Sequence, residues 1–101
     1  MGSRLDLHEV LCEALGSAHA YYQPPENVKM EYPAIVYSRD NMVNEFADDS
    51  VYNTRHVYQV IVIDYDPDSE IVERVAKIPT ARYSRHYISD NLNHDVFTIY
   101  F

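Results

Sequence analysis

The sequence holds two glycines, Gly2 and Gly16, and no tryptophan. So few glycines leave no phosphate-cradling loop, which needs backbone free of side chains close to the ligand. Neither a G-x-S-x-G elbow nor a G-x-G-x-x-G turn occurs. Cysteine is nearly absent too. Cys12 alone can form no intramolecular disulfide and can nucleate no zinc site, and it fits a reducing compartment. Basic residues are scarce: Lys plus Arg is 8 and Asp plus Glu is 16, so 8 − 16 gives a formal charge of −8. That balance argues against tight binding to a nucleic-acid backbone, which needs cations to displace counterions. No run of eighteen apolar residues offers a membrane span, and the N-terminal residues lack the basic and apolar pattern of a signal peptide.

What is present is ordinary for one folded unit. With 101 residues, a single α+β domain over 1–101 is expected, with a modest core. The ten tyrosines are unusual. Tyrosine joins an apolar ring to a polar tip and suits surfaces where packed structure meets water or a partner.

The organising stretch is VYQVIVIDYDPDSEIVERVAKI, from Val57 to Ile78. Val60, Ile61, Val62 and Ile63 are stiff, β-branched and apolar at every position, which predicts a strand buried on both faces. Asp66 then reads as a helix N-cap, with Pro67 in the first helical position and Asp68 and Glu70 in the first turn. Ile71, Val75 and Ile78 form one apolar stripe, and Pro79 ends the helix. The spacing therefore predicts a helix over 67–78 folded back onto the sheet.

Before this, residues 3–15 read as a helix with Leu7, Val10, Leu11, Ala14 and Leu15 on one face and Gly16 just beyond its end. Ala18 to Tyr22 reads as a short strand, and Ala34 to about Val43 as a longer one. Asn44 to Ser50 (NEFADDS) reads as the tip of a long hairpin or a loop between strands. Val51 to Asp64 is long for a strand and predicts one that projects past its neighbours. Thr80 to Ser89 alternates, Asp90 to Asn93 turns, and His94 to Phe101 is an apolar strand pinned inside the sheet. Helices that do not alternate regularly with strands predict a mainly antiparallel sheet with both helices packed on it.

Few constellations carry chemistry. Asp64, Asp66 and Asp68 after a buried strand are the strongest enzyme signal, and would suit a small metal-dependent hydrolase. An EF-hand loop would want Gly at position 69 and Glu at 75, where the chain has Ser69 and Val75. Helix capping and first-turn acids explain the same three residues. His8 and Cys12 lie one turn apart without further ligands nearby. His19, His56, His86 and His94 form no H-x-x-x-H or H-E-x-x-H pattern. His86 and His94 can face each other across the last hairpin. Arg82 and Arg85, among Tyr83 and Tyr87, could stack bases, but they are one small cluster in an acidic chain. The composition assigns no catalytic residue, no cofactor and no metal. An adaptor domain binding another protein through its tyrosines is also compatible with it.

Three segments carry a resemblance: YPAIVYSRDN, then NEFADDSVYNTRHVYQVIVIDYDPDSEIVERV, then RYSRHYISDNLNHDVFTIYF. Together they resemble the tail completion, or tail terminator, proteins of long-tailed phages and prophages of Gram-positive bacteria. The most specific pieces are the Tyr-Gln-Val strand running into Asp-Pro-Asp-Ser, and Asp-Asn-Leu-Asn-His with the Phe-Thr-Ile-Tyr-Phe end. The likeness spans about residues 30–101. It implies an α+β subunit without catalysis that forms a homo-oligomeric ring, usually a hexamer. The ring caps the tail tube at its head-proximal end. The partners implied are the tail tube protein and the head–tail connector, with DNA passing through the lumen unbound. The place implied is the virion tail, and the host cytoplasm during assembly. Other head–tail joining or minor tail roles share these features. On this reading Glu45, Asp48 and Asp49 face the lumen or the next subunit, and Tyr52, Arg55 and Tyr58 make contacts between subunits.

Overall fold

A computed structural model describes the backbone of residues 4–25, 28–47 and 50–101, with side chains throughout except for 41–55. The order of elements is α1 (Arg4–Leu15), β1 (Ala20–Tyr22), β2 (Ala34–Ala47), β3 (Ser50–Asp64), α2 (Glu70–Ala76), β4 (Arg82–Ser89) and β5 (Leu92–Tyr100). The five strands form one sheet in the order β1-β2-β3-β5-β4. β1 runs parallel to β2, and every other pairing is antiparallel. The fold is α+β, as the irregular order of helices and strands predicts.

Leucines repeat every four residues in α1, and that spacing lays Leu7, Leu11 and Leu15 on one buried stripe. Gly16 ends the helix at φ +82, where its N–H reaches the Cys12 carbonyl at 2.8 Å. A side chain is costly in that left-handed conformation, so glycine suits it. α2 contributes Ile71 and Val75 to the same core, with Ile78 just beyond its end. Both helices cover one face of the sheet, formed by Ile35, Tyr37, Tyr58, Val60, Val62, Phe97 and Ile99. The Arg74 guanidinium Nε donates to the Ala14 carbonyl at 2.6 Å and ties α2 to the end of α1. There it meets the negative end of the α1 dipole.

The start of α2 corrects the expected cap. Asp66 and Pro67 lie outside the helix, and Ser69 is the N-cap, its Oγ accepting from the Ile71 N–H at 3.3 Å. Asp64 and Asp66 are engaged locally instead. Asp64 Oδ1 accepts from the Asp66 N–H at 3.1 Å, and Asp66 Oδ1 from the Asp68 N–H at 2.9 Å. These aspartate turns hold the chain out of helical conformation until Ser69. The helix is therefore shorter at both ends than the span 67–78. Among the described residues, α1 begins at Arg4.

Asn93, read from sequence as part of a turn, is a buried member of β5. Its Nδ2 donates to the carbonyls of Asp64 and Tyr65 at 3.4 and 3.2 Å, and its Oδ1 pairs with His86 Nε2 at 3.1 Å. It thus joins β4, β5 and the exit of β3. The actual turn is Asp90-Asn91, with φ of 53 and 63. Two successive left-handed residues make the tight turn whose twist matches a hairpin. Asn93→Ala takes the side-chain donor from the Asp64 and Tyr65 carbonyls and unties His86, and it is expected to cost about 1–3 kcal/mol in urea titration.

β2 and β3 are far longer than their neighbours. β1 pairs only with Ile35–Tyr37, and β5 pairs with Val57–Asp64 of β3. Phe101 extends that ladder by one residue to His56. Beyond these limits β2 and β3 pair only with each other among the described residues, from Val43↔Arg55 to Ala47↔Ser50. An arm of about 20 Å therefore projects from the sheet. The radius of gyration, 14.5 Å, exceeds the about 13 Å of a compact chain this long. Extents of 51 × 27 × 22 Å describe the same elongation. Two irregularities in register mark the arm. One residue, Asp40, is extra in β2 at its root, and one, Tyr52, is extra in β3 near its end. Such bulges bend a strand and raise its twist.

Candidate functional site

Two margins of the sheet are open, and they are unlike. β1 is three residues long. β4, at the other margin, is eight residues long and exposed at every position. Its outer backbone groups pair with no other described strand. β4 carries three of the large exposed hydrophobic side chains: Tyr83, Tyr87 and Ile88, the last at 67% exposure. The two rings are held from below. Tyr83 donates its hydroxyl to Asp95 Oδ1 at 2.8 Å and meets Phe97 edge-on at 5.2 Å. Tyr87 stacks on His94 at 4.6 Å, and the Arg85 guanidinium carbon lies 5.6 Å from the centroid of the same ring. Rings fixed in advance lose little freedom when something covers them.

The residues expected to make contacts separate into three groups. Glu45, Tyr52 and Arg55 lie on the arm: Glu45 pairs with Asn53, Arg55 with Val43, and Tyr52 is the extra residue of the second bulge. Asp48 and Asp49 lie outside the described residues. Tyr58 is buried at 5% exposure, which corrects its place as a contact between subunits. The reason is register: Tyr58 enters the sheet beside Tyr37 at 6.4 Å, beneath the helices. At the junction of arm and sheet, His56 Nδ1 is buried without a hydrogen-bond partner among the described residues.

Tyr37 is the hub of the core near α1. Its hydroxyl pairs with His8 Nδ1 at 2.6 Å, and its ring meets Tyr22 at 5.0 Å. Arg4 caps the Tyr22 ring at 4.4 Å. Burial pushes the Tyr37 hydroxyl above its usual pKa, and the nearby Arg4 pulls it partly back. The His8 Nδ1 atom is thus engaged by the Tyr37 hydroxyl.

Of the aspartate triplet, Asp68 lines a shallow cleft with Pro67, Ser69, Val72, Glu73 and Asp95, and Asp64 and Asp66 do not. Two of the three aspartates accept backbone N–H groups, and Ser69 Oγ is committed to the helix. Among the described residues, no group of three or more His, Cys, Asp or Glu is placed to hold a metal ion. No helix among them is long and apolar enough to cross a membrane. The arrangement with most to offer a partner is thus the open β4 edge together with the arm. The signal was visible in part: RYSRHYIS alternates as a strand but supplies no apolar face to bury. No family model and no curated protein matches this chain.

Proposed function

We propose that this chain is a structural assembly protein: a ring-forming tail terminator or tail completion protein that caps a phage tail tube and joins it to the head connector. One observation carries the assembly part of this reading. An eight-residue edge strand, exposed on both faces, lies on the same sheet as an arm with no neighbour of its own. An open edge of that length is an aggregation hazard unless something pairs with it, and closure into a ring removes edges. The segment likeness supplies the phage tail as the setting, with a homo-oligomer, usually a hexamer, acting in the virion after assembly in the host cytoplasm. The charge of −8 suits a channel wall that DNA slides past without sticking. A neighbouring head–tail joining role would use the same surfaces.

Solution mass and negative-stain imaging test the proposal, on the protein alone and with tail tube protein. The expected result is a closed ring of one mass in at least one of the two samples. A strict monomer in both, at high concentration, would overturn it. Tight Mg²⁺ or Mn²⁺ binding by calorimetry, lost on Asp64→Asn, would favour the hydrolase reading instead.

A further inference from the structure

We propose that β4 is a strand-addition site for the acidic arm of a second copy of this chain, so that copies join head to tail. The inference rests on the assembly reading above and names its joint. The two surfaces are opposite in charge. From Arg82 to Ser89 the chain carries Arg82 and Arg85 and no acid, for +2. From Asp40 to Arg55 it carries Asp40, Glu45, Asp48, Asp49 and one Arg, so 1 − 4 gives −3. β4 is therefore a basic strip on a chain of net charge −8. Opposite charges facing across a new strand pair stabilise it, and like charges oppose it.

The same arginines weigh against the simplest alternative. If two β4 edges paired with each other, two strips of +2 would be brought together. β4 also carries its own bulge, with Ser84 extra between Tyr83 and Arg85, which spoils a long symmetric ladder. Charge and bulge guard the edge against its own kind and leave it open to an acidic strand. The arm supplies one. Its two strands have free outer edges, because β1 stops at Tyr37 and the pairing with β5 stops at His56. Main-chain hydrogen bonds then give affinity, while Tyr83, Tyr87 and Ile88 offer apolar surface for the incoming strand. Each copy has one donor and one acceptor of this kind. Such a joint is heterologous and closes into a ring when its rotation allows.

Charge reversal tests the joint. One variant is Arg82→Glu/Arg85→Glu, which changes β4 from +2 to −2; the other is Asp40→Lys/Glu45→Lys, which changes the arm segment from −3 to +1. Each alone is expected to associate on the order of tenfold or more weakly than the original chain. An equimolar mixture is expected to recover the original assembly mass, because each arm then finds an opposite edge. If both variants assemble like the original, this joint is wrong while the assembly reading stands. If the mixture fails although each variant keeps its circular dichroism, the edge takes some other acidic strand and the joint is again wrong. If the original chain is monomeric alone and with tail tube protein, both readings fall. As a second measurement, Asn53→Cys and Ile88→Cys are made separately in a Cys12→Ser background. A short bismaleimide is expected to couple the two chains only when they are mixed, and no coupling in an assembled sample overturns the joint.

Discussion

Tyr37→Ala is expected to lower the stability of the fold by about 3–5 kcal/mol, the range for deleting a large aromatic side chain from a core. Tyr37 has no exposed surface and touches Tyr22, Tyr58 and His8. Its loss opens a cavity between α1 and the sheet and strands the His8 ring nitrogen. Urea titration at neutral pH measures this. Tyr37→Phe keeps the ring and should cost only about 1 kcal/mol, the worth of the hydroxyl bond. The two variants also differ at high pH. Burial raises the pKa of both Tyr37 and Tyr58 above the ordinary 10.0. The unfolded chain then gives up these protons first, so the stability is present below pH 10 and falls as pH rises through the folded values. Tyr37→Phe removes one of the two groups and should lessen that alkaline loss. An unchanged profile would mean that the hydroxyl is not held neutral by the fold.

The second large effect concerns the arm. Replacing residues 42–56 by Asn-Gly joins Asn41 to Val57, which already face each other across the hairpin. Asn-Gly is the favoured two-residue turn for such a junction. The described residues removed pair almost entirely among themselves, and among them the outside ladder lost is that between His56 and Phe101. The shortened chain should therefore melt within about 5 °C of the original. Its assembly, in contrast, should be abolished. A full-size ring from the shortened chain would place the subunit joint elsewhere in the molecule.

The parts legible in the sequence were those fixed by strong local pattern. Leu7, Leu11 and Leu15 announce α1 at helical spacing, and Gly16 marks its end. The β-branched run at Val60–Ile63 announces the central strand, and the apolar end of the chain lies inside the sheet as β5. The projection of β3 past its neighbours was legible too, from its length, but the tip was read too wide: residues 44–47 belong to β2 and Ser50 to β3. Misreadings arose where two residues could serve one purpose. Asp66 and Ser69 are both good caps, and only the aspartate turns at 64–68 decide for Ser69. Tyr58 continues the spacing of Tyr52, but a bulge at Tyr52 and the entry under the helices put it in the core. The openness of β4 depends on which strands become neighbours. Alternation specifies a strand and leaves its place in the sheet to tertiary packing. The polarity of RYSRHYIS on both faces is the local trace of that place.

Sedimentation velocity over a concentration series, with and without tail tube protein, tests the central claim most directly. The account expects a single closed species several times the 11.8 kDa of one chain, weakened by added salt as screening blunts the arm–edge attraction. A species that stays at the mass of one chain under every condition would contradict it.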